Sequence, residues 1–115
     1  MDERTVTGTV RAEEDSPLPI EMDFVIDADA PVSIVPGKVL RDLGVAATGE
    51  ETVPLGGGQT GARKVGRVYF QLLGRGAYAK VAFGAEGEKP RLGRGTIEAC
   101  GLVIDPVTRN VARPR

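Results

Sequence analysis

The residues best suited to chemistry are two carboxylates two positions apart, Asp27 and Asp29, directly behind the apolar run Phe24-Val25-Ile26. Three readings compete. A DxD at a strand end can hold a divalent cation, or supply the nucleophile and acid of an aspartate-based phosphotransferase. The third is a surface turn in which Asp caps backbone amides, the usual reason that Asp follows a strand. Phosphotransfer of this kind sits on a parallel α/β sheet with further carboxylates and a lysine on later strands, and a chain this short and this poor in helices has no room for it. On local grounds alone the turn is the simplest account.

Other chemistry is narrowed by what the chain lacks. It has 115 residues and no histidine, which removes Ser-His-Asp and Cys-His arrangements and the commonest transition-metal ligand. A single cysteine, Cys100, excludes an intramolecular disulfide and a multi-thiolate zinc site, and it reads as a small buried hydrophobe. Gly56-Gly57-Gly58-Gln59-Thr60-Gly61 formally matches GxGxxG, but the alternating stretch that follows reads as a strand, whereas a dinucleotide site needs a helix there. No Gly-Lys-Ser/Thr sequence is present to form a phosphate loop.

Charge adds little, since 15 basic and 16 acidic side chains leave a net charge of −1. The basic tail from Arg109 to Arg115 lacks the interleaved aromatics of a nucleic-acid site, so no nucleic-acid partner is expected. The charged start, Met1-Asp2-Glu3-Arg4, leads into no apolar signal region, and no run approaches the ~20 residues that cross a bilayer. The expected location is cytoplasmic, with no membrane partner.

The elements that must position Asp27 are mostly strands. Gly and Pro, 16 and 8 residues, demand frequent turns, and valine outnumbers leucine, which favours pleated surfaces. Thr5 to Arg11 alternates polar and apolar residues, and Glu21 to Ile26 places Met22, Phe24 and Ile26 on one face. Val32 to Val35 is a second short apolar run, followed by a brief helix from Pro36 to Gly44 with Val39, Leu40 and Leu43 inward. Between Thr52 and Gly84 the spacing predicts two or three long strands, with turns at Gly56-Gly57-Gly58 and Gly74-Arg75-Gly76. Thr96 to Cys100 predicts a helical turn ending at Gly101, with a strand at Leu102-Val103-Ile104. Together these predict a single domain over residues 1–115, mainly all-β, closed or sandwiched, with one or two short helices.

The run Phe24-Val25-Ile26-Asp27-Ala28-Asp29-Ala30-Pro31-Val32-Ser33-Ile34-Val35-Pro36, followed by Val39 to Val45, resembles the retropepsin-like aspartic proteases of clan AA, in particular the small single-domain prokaryotic members. Their pattern is two hydrophobic residues, Asp, Thr or Ser, Gly, Ala, Ser or Thr, then a strand ending Ile-Pro and a short helix ending Leu-Gly. Downstream, Pro90-Arg91-Leu92-Gly93 and Ile97-Glu98-Ala99-Cys100-Gly101-Leu102-Val103-Ile104-Asp105-Pro106 are similar to the family's Pro-Leu-Leu-Gly and Leu-Glu-Ala-Leu-Gly-Leu-x-Val-Asp. The likeness covers about residues 20–106, leaving 107–115 as a C-terminal strand or basic tail.

That resemblance implies a closed β-barrel protomer acting as a homodimer, because peptide hydrolysis by this route needs two carboxylates sharing one proton and each chain carries one such motif. It implies Asp27 as the catalytic residue and Ala28, Asp29, Ala30 and Pro31 as the active-site loop. Gly56, Gly57, Gly58 and Gln59 become the tip of a flap over an extended peptide or protein substrate, with Leu92, Gly93 and Arg94 as loop support. No cofactor and no metal are implied. Three departures fall in the loop: Ala28 stands where the family has a hydroxyl, Asp29 where it has Gly, and Pro31 where it has Ser or Thr. Arg94 is expected to pair with Asp29. Aspartic endopeptidase is therefore the leading function, a catalytically silent peptide-binding dimer the alternative, and a metal-dependent DxD enzyme the third.

Overall fold

The computed structural model describes residues 4–56 and 58–114, and the description below is confined to them. Nine strands and two short helices follow in the order β1 (Thr5–Arg11), β2 (Ile20–Asp27), β3 (Ser33–Pro36), α1 (Gly37–Asp42), β4 (Gly49–Gly56), β5 (Gln59–Leu72), β6 (Arg75–Gly84), β7 (Arg91–Gly93), α2 (Arg94–Ala99), β8 (Val103–Ile104) and β9 (Val111–Ala112). The protein is mainly β, as the composition requires. Seven strands form one sheet in the order β1-β2-β7-β3-β6-β5-β4, and β1 pairs a second time, with β5. β8 and β9 make a separate antiparallel pair, so the tail after residue 107 contains a short strand.

Alternation decides which side chains face inward. Met22, Phe24 and Ile26 leave β2 on the face that meets Val10, Val68, Phe70, Leu72, Val81 and Leu92 in the main core. Phe24 and Phe70 meet there at a ring-centroid distance of 6.0 Å, tilted by 58°. A second cluster, Ile34, Val53, Val65 and Ala82, lies under the β4–β5 hairpin, and Val32 and Leu55 pack against it. Each helix ends at a glycine with positive φ, Gly44 at 81° and Gly101 at 70°. In α1, Leu40 is fully buried while Val39 and Leu43 pack on the core from the side.

The turn between β5 and β6 differs from the sequence expectation. Leu72 pairs with Arg75, so the loop is the dipeptide Leu73-Gly74 and not Gly74-Arg75-Gly76. Both loop residues take positive φ, 50° and 78°, which a two-residue hairpin that follows the sheet twist requires. Leu73 accepts that conformation because Leu72, 1% exposed, is held in the core and fixes the register. Arg113 then donates from Nη2 to the Leu73 carbonyl at 2.8 Å, tying the end of the chain to this turn.

Cys100 lies where expected, 4% exposed and part of the main core. Burial raises its thiol above the usual range, because the thiolate would lose its water. The sign follows from the unfolded chain, whose thiol ionises first. The stability held by the neutral thiol is complete below the ordinary thiol pKa and is lost as pH climbs through the raised folded value. Urea titrations above and below that window are expected to show a loss in the natural chain that Cys100→Ala does not share. Slow alkylation of the folded protein by iodoacetamide is the companion expectation.

Candidate active site

β2 delivers Asp27 at its C-terminal end, and the parallel register of β2 with β7 sets it opposite Gly93. The chain then turns: the Ala30 amide donates to the Asp27 carbonyl at 3.2 Å, and the Asp29 amide donates to Asp27 Oδ1 at 3.2 Å. The amide-capping turn is thus realised, and it holds one carboxylate oxygen in place. The other, Oδ2, faces the Arg91 guanidinium, whose Nη1 lies 3.4 Å away. Both side chains are partly buried, Asp27 at 18% and Arg91 at 23% exposure.

The loop rests on the segment from Leu92 to Gly95. Leu92 is fully buried in the main core. The Arg94 amide donates to the Ala30 carbonyl at 2.7 Å and the Gly95 amide to the Pro31 carbonyl at 3.1 Å. These contacts need bare backbone on one side. A Cβ on Gly93 would stand 2.6 Å from the Val32 carbonyl carbon and 2.9 Å from the Ala30 oxygen, and one on Gly95 would stand 2.6 Å from the Pro31 oxygen.

Two buried hydroxyls complete the support. Ser33 Oγ accepts the Gly93 amide at 2.8 Å and shares a 2.5 Å hydrogen bond with Thr96 Oγ1. Ser33 is 0% and Thr96 1% exposed, so neither has water to fall back on. Sequence reasoning passed over Ser33, Thr96 and Gly95. The available signal was a polar residue inside the apolar run Val32-Ser33-Ile34-Val35, a place that a hydroxyl occupies only with partners. Ser33→Ala is expected to orphan the Gly93 amide and weaken folding by about 2 kcal/mol, read from denaturant midpoints.

The expected Arg94–Asp29 pair is not formed. Arg94 opens α2 with its side chain exposed and serves the loop through its backbone amide, whereas the guanidinium beside the loop is that of Arg91. The reason is strand parity: Arg91 and Gly93 share the face of β7 that meets Asp27.

At the other proposed element, Gly56 pairs with Gln59 to close the β4–β5 hairpin, and Gly58 has φ of 78°, where an added Cβ would meet open space. Gly57 lies outside the described residues. The hairpin and the Asp27 loop are anchored on the same small cluster, through Leu55 on one side and Val32 on the other. Among the described residues no group of three or more Cys, Asp or Glu side chains comes together to hold a metal ion, and no helix is long and apolar enough to cross a membrane.

Comparison with known proteins bears on the fold. No family model and no curated protein matches this sequence. Solved structures do match. One is a foamy viral protease-reverse transcriptase in complex with an RNA/DNA hybrid, 18% identical, with a TM-score of 0.56 over 82% of this chain. This chain spans only 12% of that viral chain's length, and likeness at this identity concerns the fold alone. The class defined so far is therefore a mainly β fold shared with part of a viral chain that carries a protease.

Proposed function

We propose that this chain is a retropepsin-like protomer that pairs about a two-fold axis and hydrolyses extended peptides as an aspartic endopeptidase, with Asp27 and its symmetry mate as the dyad. The observation that carries the reading is the Asp27 loop, whose carbonyls at Ala30 and Pro31 are pinned by the amides of Arg94 and Gly95. The second pairing of β1, with β5, fits a closed barrel. Val103 and Val107, 45% and 88% exposed around the C-terminal strand pair, offer apolar surface to a second copy.

In this mechanism one carboxylate is ionised and the other protonated. The first takes a proton from a water whose oxygen attacks the peptide carbonyl carbon, and the second donates to the carbonyl oxygen. The tetrahedral intermediate collapses, the C–N bond breaks, and the amine nitrogen leaves with a proton returned from the dyad. The glycine-tipped hairpin closes over the peptide, which adds to it as a strand.

A second reading, a dimer that binds peptides without cutting them, is favoured by one observation: both Asp27 oxygens already have partners, and Ala28 brings no hydroxyl to the loop. Digestion of a peptide library from acidic to neutral pH decides. Cleavage by the natural chain that disappears in Asp27→Asn supports the endopeptidase. If only the double variant Ala28→Thr with Asp29→Gly cuts, the natural chain is the silent form. Cleavage that survives Asp27→Asn overturns the dyad.

A further inference from the structure

The pairing of Arg91 with Asp27 originates in the β2–β7 register. Val25 lies opposite Arg91 and Asp27 opposite Gly93, so Asp27 and Arg91 project from one face while Leu92 points into the core. The family pattern that this chain resembles has an apolar leucine at position 91, where the guanidinium now stands 3.4 Å from Asp27 Oδ2.

We infer that Arg91 is the counter-ion that allows two Asp27 carboxylates to meet across the dimer axis, an inference that rests on the dimer of the proposed function. At neutral pH, before the pair takes up the single proton that the mechanism shares, assembly about that axis brings together two copies of Asp27 and of Asp29, four negative charges in one groove. Asp29 is exposed and retains water, but Asp27 is mostly buried and would face its twin with little solvent to screen the repulsion. One guanidinium per protomer, already in contact with Asp27, offsets that repulsion charge for charge. Arg94, exposed at the start of α2, is not in ion-pair contact with either carboxylate. Arg91 is a positioning residue in this role, acting on the carboxylate and not on a substrate.

The test is sedimentation equilibrium at neutral pH and low salt on the full chain, with circular dichroism confirming that each variant folds. The natural chain is expected to dimerise. Arg91→Leu, which installs the family's residue, is expected to raise the dimer dissociation constant at least ~10-fold, with the deficit shrinking in high salt. Arg91→Lys keeps the charge and is expected to retain most of the affinity. Adding Asp27→Asn to Arg91→Leu removes the charge that needs an offset and is expected to restore dimerisation, which a packing defect would not allow. A dimeric natural chain with an equally dimeric Arg91→Leu overturns the counter-ion role alone, as does a deficit that Asp27→Asn leaves unrepaired. A natural chain that stays monomeric at high concentration overturns the dimer itself.

Discussion

Gly93→Ala is expected to cost about 3 kcal/mol or more of folding stability and to be the most damaging single-methyl change in the Asp27 region. The added Cβ meets three backbone atoms closer than 3.0 Å, two on Val32 and one on Ala30, and backbone cannot rotate aside as a side chain can. Relief requires β7 to move from the loop, which breaks the Arg94 and Gly95 amide bonds to Ala30 and Pro31 and pulls the Gly93 amide from Ser33 Oγ. Thermal or urea melts of the variant measure the loss directly. Gly58→Ala is the control: open space surrounds that position, so the cost there is limited to the strain of its positive φ. Equal, small losses at both positions would refute the account of loop support.

On the endopeptidase reading proposed above, Asp27→Asn is expected to lower peptide cleavage by at least ~10³-fold, because an amide neither takes a proton from water nor shares one with the carboxyl that this reading sets across the axis. Stability is expected to change by about 1 kcal/mol or less. Asn retains an oxygen in the Oδ1 position, so the Asp29 amide keeps its acceptor, and what is lost is a single 3.4 Å contact to a partly exposed guanidinium. The pairing of a large loss of rate with a near-native melting curve separates a chemical role from a structural one. A variant that melts many degrees lower would place Asp27 among the structural residues of the loop.

The strands around the site were legible because period-two alternation is a local property. Thr5–Arg11 and the inward trio Met22, Phe24 and Ile26 follow from it directly. The short helices were legible because a glycine with positive φ ends each of them. Illegible features come from long-range packing. Ser33 and Thr96 are 63 positions apart, and nothing in either neighbourhood states that their hydroxyls meet. The Leu73-Gly74 turn was misplaced because leucine is a poor marker for positive φ, and its conformation is imposed by the registry of β5 with β6. Which arginine serves Asp27 depended on knowing that β7 lies parallel to β2 with Gly93 opposite Asp27. Without that registry, proximity in sequence to Gly93 does not distinguish Arg91 from Arg94.

β4 is hydrogen-bonded to a neighbour on one side only, since it ends the strand order of the sheet. Such a border normally invites copies of a protein to stack into fibrils. This one carries two consecutive exposed acidic residues, Glu50 and Glu51, and Pro54, which has no amide hydrogen to offer. The acidic side chain of Glu50 and the amide donor missing at Pro54 therefore make this border a poor template for another copy, while Glu51 is already engaged by Lys80 at 2.6 Å.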